Sequence, residues 1–356
     1  MNESDRVKKT GLDAVPTPEW VRRVPKTDLH CHLGGSLRLE TLIDEARRQG
    51  VSLPAEDAGS LAPYVVKADA SSLEDYLKAF AITESVLKNA RALERAAFEL
   101  VEDAHRENIK ILEVRYAPTN YRTKSLKLFQ IVESVLAGLQ RGSREYGVHA
   151  GLIICGMRNN MDATREAVRL AADYKLEGVV GFDLAGPEHG YPPKQFESVL
   201  SPVFSSFIPV TIHAGEAYGA KSIADAIIYL NARRIGHATN LFELRGLTDY
   251  IEITGLALET CVSSNLHTRV IPSVQTHPIR QMMRRGLRVS LNTDNRLVSR
   301  TDITNEMMLL VNELGFVKRD LLRLVKDGVK SSFFRKEIKR QALDKIDTEI
   351  AELTCA

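Results

Sequence analysis

From residue 27 onward, short runs of β-branched and apolar residues alternate with longer stretches of helix-like composition. Eight such runs occur, at residues 27–33, 109–117, 150–156, 179–185, 209–214, 233–238, 256–262 and 287–293. Several are continuously apolar, as in Leu152-Ile153-Ile154, which is typical of parallel strands covered on both faces. Eight alternating strand and helix units in 356 residues predict an α/β fold, a (β/α)8 TIM barrel.

The spacing of the runs also predicts how the chain is organised around the barrel. We expect residues 1–356 to form one domain, because no low-complexity segment or second-domain linker divides them. The connection between the first two strands, residues 34–108, is unusually long and mostly helix-like, which predicts a helical lid insertion. Residues 301–356, after the last strand, predict extra C-terminal helices.

One apolar helical face can be recognised in this insertion. Leu73, Tyr76, Leu77 and Phe80 recur at positions i, i+3, i+4 and i+7. Two interpretations remain open. The face packs against the barrel, or it forms a wall of a substrate site, in which case Tyr76 and Phe80 contact the substrate.

Charge and hydropathy restrict the kind of partner. The formal charge of +2 comes from 48 basic and 46 acidic residues, so no broad field of one sign attracts nucleic acid or an anionic membrane. No stretch has the length and apolarity of a membrane span, and residues 1–9 lack the apolar run of a secretory signal. These features predict a cytoplasmic protein with a small-molecule partner, and they say nothing about oligomeric state.

The cysteines predict neither disulfides nor a thiolate metal site. Cys31, Cys155, Cys261 and Cys355 lie far apart and form no Cys-x-x-Cys pair. We expect most of them to be buried as small hydrophobic residues. Cys261 has a second interpretation as a pocket residue, although burial is favoured.

Histidine and aspartate at the ends of the predicted strands indicate a metal site. His30 and His32 are two residues apart, so a strand directs both imidazoles to the same face. His213 lies near the end of the fifth run and Asp294 directly follows the eighth, at the edge where a barrel of this type places its chemistry. Three neutral imidazoles and one carboxylate suit Zn²⁺ and leave room for a water, so we expect one zinc ion per chain and hydrolytic chemistry.

Two further residues lie close to these ligands in the sequence. Glu216, three residues after His213, is a candidate for proton transfer, and its alternative is a first-turn glutamate that complements a helix dipole. His237 either orients the attacking hydroxide or is another imidazole ligand, and orientation is favoured because Asp294 completes the ligand set. Arg115 and Asp183 are expected to form buried ion pairs near the barrel mouth, outside the catalytic group.

Taken together, the motifs resemble those of the adenosine deaminase family of zinc hydrolases. Residues 25–33 match Pro-Lys-x-x-Leu-His-x-His-Leu, and 213–216 match His-Ala-Gly-Glu. Residues 234–237 match Arg-x-Gly-His, and 290–294 match Ser-x-Asn-Thr-Asp. Shorter matches at residues 113–118, 157–158 and 182–186 extend the resemblance over most of the chain.

The resemblance implies hydrolysis of adenosine and 2′-deoxyadenosine to the inosine form plus ammonia. It implies that zinc binds His30, His32, His213 and Asp294. It further implies that zinc-bound hydroxide attacks C6 while Glu216 protonates ring N1, with His237 and Asp294 stabilising the hydroxide. The backbone N–H of Gly186 is expected to hold purine N3. The predicted substrate contacts are His32, Gly34, Gly186, Asn295, Tyr76 and Phe80.

Two positions depart from the family pattern. Gly34 stands where the family usually has an aspartate that binds the ribose 5′-hydroxyl, and our hypothesis is that this glycine opens space for a 5′-substituted nucleoside. Asn295 stands where a second aspartate often binds purine N7. Because an amide donates a hydrogen bond at any pH, Asn295 can keep that contact, and Asn295→Asp is predicted to make affinity more pH-dependent.

Other functions remain open within and beyond the family. Gly34 motivates a deaminase of 6-amino-6-deoxyfutalosine, of another 5′-substituted adenosine or of an N6-methylated nucleotide. Ser36 and Arg38 are candidate phosphate donors, although helix-start surface positions are favoured for both. Two other classes are a catalytically inactive nucleoside-binding relative and a two-metal amidohydrolase. The latter would be expected to carry a modified lysine where Asp183 stands.

Overall fold

A computed structural model describes residues 11–68, 70 and 73–355 of the chain. Eight parallel strands follow one another in chain order around a nearly closed barrel, which confirms the predicted fold class. They are β1 (Lys26–His32), β2 (Ile109–Tyr116), β3 (His149–Met157), β4 (Val179–Ala185), β5 (Val210–Ala214), β6 (Arg234–His237), β7 (Ala257–Thr260) and β8 (Arg288–Leu291). The last two strands are shorter than predicted, because Val262 already begins a helix and Asn292 leaves the regular ladder.

Fifteen α-helices of the described residues surround the barrel. One helix, α1 (Pro18–Arg23), precedes β1. The connection from β1 to β2 holds α2 (Leu39–Gln49), α3 (Ala58–Val65), α4 (Leu73–Thr83) and α5 (Ala90–Arg106). The barrel connections hold α6 (Leu128–Tyr146), α7 (Met161–Asp173), α8 (Glu197–Ser205), α9 (Gly219–Leu230), α10 (Leu247–Thr254), α11 (Val262–His267) and α12 (Ile279–Arg284). The predicted C-terminal helices are α13 (Ile303–Leu314), α14 (Lys318–Ser331) and α15 (Lys336–Cys355).

The sequence forms these elements for simple packing reasons. Every residue of β2 is buried, as expected for a parallel strand with the barrel interior on one side and helices on the other. Helix α5 buries Leu93, Ala97, Leu100 and Val101 along one face, which packs against β2 and α6. Gly138 of α6 lets the two helices meet closely, because a Cβ there would lie 2.2 Å from a backbone oxygen of α5.

The barrel closes between β8 and β1 through an irregular seam. Among the described residues, the strand pairing across this seam is limited to one bridge between Cys31 and Asp294. The backbone N–H of His32 donates to the carbonyl of Asp294 at 2.7 Å, and that of Asp294 donates to the carbonyl of His30 at 2.7 Å. The N–H of Leu29 donates to the side chain of Asn292 at 2.8 Å. The seam therefore consists largely of residues predicted to bind metal.

The remaining predictions concern the cysteines, Arg38, residues 1–9 and membrane-spanning helices. Cys31, Cys155 and Cys261 are buried as expected, and the side chain of Cys355 lies outside the described part. Arg38 precedes the first turn of α2 and forms ion pairs with Glu102 and Asp103, which agrees with the favoured surface interpretation. Residues 1–9, on which the signal prediction rests, lie outside the described chain. None of its described helices has the length and apolarity needed to cross a bilayer.

Candidate active site

Four predicted ligands meet at the carboxyl ends of the strands. His30 and His32 leave β1 on the same face, His213 stands near the end of β5, and Asp294 follows β8. One ligand atom from each lies within 4.8 Å of the others. Nε2 of His32 is 3.2 Å from Nε2 of His213 and 3.3 Å from Oδ1 of Asp294. The four side chains that the sequence motifs predicted as ligands therefore converge on one point.

Two of the four side chains, His30 and His32, are held in a state that fits a bound cation. At His213, burial lowers the pKa but the adjacent Asp183 carboxylate outweighs it and raises that pKa. Burial lowers the pKa values of His30 and His32, which leaves both imidazoles neutral and able to offer a lone pair. Nε2 of His30 is buried without a hydrogen-bond partner, 3.5 Å from Oδ1 of Asp294. A buried nitrogen of this kind is rare unless something else binds it, because leaving it unsatisfied destabilises the fold.

Buried carboxylates orient the ligands from behind. Nδ1 of His30 lies 2.9 Å from Glu259, and Nδ1 of His213 lies 2.9 Å from Asp183. The guanidinium of Arg115 joins these two carboxylates, at 2.8 Å and 3.0 Å. The predicted buried pair of Arg115 and Asp183 is confirmed. Such partners fix the ring orientation of a metal-binding histidine and direct its free nitrogen toward the ion.

Glu216 lies in the loop between β5 and α9 and not in a helical turn. Because α9 begins at Gly219, the alternative of a first-turn helix glutamate is wrong. The side chain is 10% exposed, and its carboxylate lies 3.6 Å from Nε2 of His237 and 3.3 Å from the hydroxyl of Thr268. Burial raises the pKa of the Glu216 carboxyl, although His237 opposes the shift. A carboxyl with a raised pKa can hold a proton for transfer near neutral pH.

Glu188, which the sequence motifs did not indicate, holds the loop that carries Glu216. Its buried carboxylate accepts hydrogen bonds from the backbone N–H groups of Gly215, Ala217 and Tyr218 and from the hydroxyl of Ser222. Four donors on one carboxylate fix the path of residues 215–218. The loop is therefore positioned by a side chain from the segment after β4.

A chain of hydrogen bonds defines the tautomer of His237. The backbone N–H of Ile279 donates to Nδ1 of His277 at 3.1 Å, so this buried histidine, whose pKa burial lowers to about 3, carries its proton on Nε2. That nitrogen donates to Oδ1 of Asn265 at 3.2 Å, and Nδ2 of Asn265 donates to Nδ1 of His237 at 3.0 Å. His237 therefore presents an Nε2–H donor on the side of Glu216.

Backbone conformation marks the same residues. His237 and Asp294 have φ angles of 66° and 61°, and Ala238 has 54°. Residues with a side chain adopt this left-handed region at a free-energy cost that the surroundings must offset, and such residues concentrate at functional sites. Two of these left-handed conformations therefore occur at residues that the sequence motifs had already indicated, although no sequence pattern predicts the conformations themselves.

These groups open into a cavity of about 270 Å³, which suits a small molecule. The structure brings all the predicted substrate contacts to its wall: His32, Gly34, Tyr76, Phe80, Gly186 and Asn295. Tyr76 also packs on Val298 and bonds to the hydroxyl of Ser299 at 2.7 Å, so this helical face packs against the segment after β8 and lines the cavity as well, and its contact with a substrate stays a prediction. The side chain of Leu73 lies outside the described residues.

Two glycines let the backbone approach the cavity. Gly186 has a φ of 92°, and a Cβ there would lie 3.3 Å from Met157. Gly35 accommodates Asn295, because a Cβ at position 35 would lie 2.0 Å from Oδ1 of that amide. A side chain at position 186 would therefore narrow the cavity, and one at position 35 would displace Asn295 from its wall.

The space beside Gly34 is occupied, which corrects the hypothesis that this glycine opens room. A Cβ on Gly34 would lie 2.6 Å from the hydroxyl of Tyr121 and 3.5 Å from the carboxyl of Glu84. Both residues line the cavity, and neither was a predicted site residue. A signal for Glu84 was present, since it lies four residues after Phe80 and eight after Tyr76, on the same helical spacing. Tyr121, Asn265 and His277 carried no such signal.

A (β/α)8 barrel with three histidines, an aspartate and a buried glutamate at the carboxyl ends of its strands defines a metal-dependent hydrolase of the amidohydrolase type. The family model for adenosine deaminase matches residues 25–349, so the chain belongs to the adenosine deaminase family. It is therefore an enzyme, a hydrolytic deaminase.

Individual relatives agree with this assignment. The chain is 37% identical over 328 residues to an adenosine deaminase of Enterococcus faecalis, covering 92% of this chain and 97% of that protein. It is 37% identical over 320 residues to an adenosine deaminase of Clostridium botulinum, covering 89% and 96%. The N6-mAMP deaminase of Arabidopsis is 27% identical with a TM-score of 0.82, covering 93% of this chain and 99% of that one.

Proposed function

We propose that the protein hydrolyses adenosine and 2′-deoxyadenosine to inosine and 2′-deoxyinosine with release of ammonia. The observation that carries this proposal is one cavity that brings the carboxyl of Glu216 and the imidazole of His237 beside three histidines and an aspartate. The adenosine deaminases that share more than a third of its residues support the choice of substrate.

We further propose one Zn²⁺ per chain, held by His30, His32, His213 and Asp294. The buried surroundings favour a cation, because the buried carboxylates around the site outnumber the guanidiniums beside them. The carboxylates are those of Glu113, Asp183, Glu188, Glu259 and Asp294, and the guanidiniums are those of Arg115, Arg158 and Arg234. When bound, Zn²⁺ lowers the pKa of a coordinated water from about 15.7 to about 7, which supplies the nucleophile at neutral pH.

The side chains of the protein then divide the remaining work. Glu216, protonated in a buried site, donates its proton to ring N1 and makes C6 more electrophilic. His237 donates from Nε2 and orients the attacking water, while Asp294 accepts from it. The backbone of Gly186 and the amide of Asn295 hold the purine at N3 and N7.

Replacing the proposed acid tests this division. Glu216→Gln keeps the volume and the contacts with Asn265 and Thr268 but loses the proton, so we expect turnover to fall by about 10²–10⁴-fold. Zinc content by mass spectrometry and inosine binding by calorimetry should stay near wild type. Glu252→Gln, an exposed change on α10, is the control. Substantial remaining turnover would remove Glu216 from the proton-transfer role.

A substrate panel tests the reaction itself. The zinc-loaded protein is incubated with adenosine, 2′-deoxyadenosine, adenine, AMP, a 5′-thioether of adenosine and 6-amino-6-deoxyfutalosine, and ammonia release and purine absorbance are followed. Fastest turnover of adenosine supports the proposal. Preference for one of the 5′-modified compounds would replace adenosine as the proposed substrate, and no turnover of any compound would support an inactive relative. Two metal ions per chain would contradict the single-zinc site.

A further inference from the structure

A second carboxyl group faces the substrate cavity beside Gly34. Glu84 lies in the 3-10 turn Glu84–Val86 that follows α4, and its side chain lines the cavity. The Tyr121 hydroxyl fills the volume that a side chain at position 34 would need, and the Glu84 carboxyl lies just beyond it, 3.5 Å from where a Cβ would stand. The insertion between β1 and β2 therefore supplies an acidic group to a place where β1 itself supplies none.

Glu84 is separate from the groups that act on the purine. Asn120 donates to its Oε1 at 3.4 Å, and its other polar neighbours are Tyr121 and Lys88. None of these belongs to the four metal ligands. Because the reacting carbon has to lie beside Glu216 and His237, the part of a nucleoside remote from that carbon occupies the rest of the cavity. That part is the sugar, with its hydroxyl groups.

The charges around this wall do not suit a phosphate. Among the described lining residues the one guanidinium is that of Arg115, which is bound to Asp183 and Glu259. Lys88 does not line the cavity, and its ammonium donates to the carbonyl of Asn120 at 2.6 Å. Burial raises the pKa of the Glu84 carboxyl, and Asn120 and Lys88 offset the shift only in part. Phosphate sites instead present several free cationic donors.

We propose that Glu84, supported by Tyr121, selects the sugar end of the substrate, accepting a hydrogen bond from the 5′-hydroxyl of a nucleoside and excluding a 5′-phosphate. This inference rests on the proposed deaminase function and adds a specificity residue to it. Asn120 and Tyr121 leave the partly buried Glu84 carboxylate able to accept one more hydrogen bond, and a substrate without the 5′-hydroxyl leaves it without that donor, which is unfavourable.

The test compares kcat/KM for adenosine, 5′-deoxyadenosine and AMP in the wild type, Glu84→Ala and Glu84→Gln. Wild type should prefer adenosine to 5′-deoxyadenosine by about 10–100-fold, the range for a hydrogen bond to a charged group. Glu84→Ala should abolish this preference by lowering only the adenosine value. Glu84→Gln, which keeps the side-chain volume, should raise the AMP value about tenfold relative to adenosine by removing the repulsion.

Glu56→Gln, an exposed change on the same insertion, is the matched control and should retain every wild-type ratio. Equal losses for adenosine and 5′-deoxyadenosine in both Glu84 variants would show a purely structural role and overturn the inference, as would a wild-type preference for AMP. Equal losses leave the proposed function standing, whereas a preference for AMP would also replace adenosine as the substrate of the deaminase. A wild type that turns over none of the three compounds contradicts the proposed function, and the inference with it.

Discussion

Residues packed next to His237 determine which of its two ring nitrogens carries the proton. The backbone N–H of Ile279 fixes His277, His277 fixes the amide of Asn265, and that amide fixes the tautomer of His237. The nitrogen of His237 that faces the cavity as a donor is therefore set by a relay through the side chains of His277 and Asn265, and the Asn265 amide also contacts the carboxyl of Glu216 at 3.5 Å.

Asn265→Asp should reverse the tautomer of His237. A carboxylate only accepts, so Nδ1 of His237 would have to carry the proton and Nε2 would lose its donor. We expect kcat to fall by about 10²–10⁴-fold, as a wrong histidine tautomer does in other hydrolases. Steady-state kinetics measure the loss, and unchanged zinc content with unchanged inosine affinity separates it from a folding defect. A kcat within about threefold of wild type would show that the tautomer is unimportant.

The residues that were predicted and those that were not differ in how they act. His30, His32, His213 and Asp294 sit at strand ends, where the barrel topology alone brings them together. Asn265 and His277 work through contacts between neighbouring loops, and loop conformation has no periodic pattern in sequence. Glu84 is an intermediate case. Its spacing from Tyr76 and Phe80 could be read from the sequence, but its position next to Gly34 in the folded chain could not.

At the level of elements, the loop after β5 is held by one carboxylate from the loop after β4. Glu188 is buried and bonds three backbone N–H groups of residues 215–218 together with Ser222. The loops after β4 and β5 are therefore fixed relative to each other, and this fixes the position of Glu216. The strands of this barrel were predicted to within a few residues because their apolar runs are continuous, whereas loop contacts of this kind were not.

Glu188→Gln should loosen this loop without touching the substrate. A neutral amide accepts fewer and weaker hydrogen bonds and brings its own N–H groups against the backbone donors. We expect kcat to fall by about 10²-fold, the scale of a 1 Å misplacement of a catalytic group, with little change in KM. Glu197→Gln, an exposed change on α8, is the control. Equal kinetics of the two variants would mean that the loop holds its shape without Glu188.

Across the whole molecule, the proposed metal ties distant parts of the barrel together. Its ligands come from β1, from β5 on the opposite side and from the segment after β8. Without an ion, Nε2 of His30 is left buried and without a hydrogen-bond partner. Binding that favours only the folded state raises its stability, so the free energy of unfolding should depend on metal.

Removal of the metal should therefore lower the unfolding temperature. Saturation at about a thousandfold excess over Kd corresponds to about 4 kcal/mol of stability. Differential scanning calorimetry with and without a chelator measures the shift. Asp294→Asn, which removes one ligand at the seam, should start at a lower unfolding temperature and respond less to the chelator. A wild-type transition that the chelator leaves in place would contradict a structural contribution from the ion.

The irregular seam between β8 and β1 has a consequence for the fate of the protein in a cell. The backbone groups of His30, His32 and Asp294 hold the two ends of the sheet together, and their side chains are proposed ligands of the ion. Loss of the ion would therefore weaken the seam between β8 and β1, which is the place where the barrel can open. Proteases act on opened chains, so inactive copies would be degraded ahead of active ones. The arrangement couples catalytic competence to lifetime.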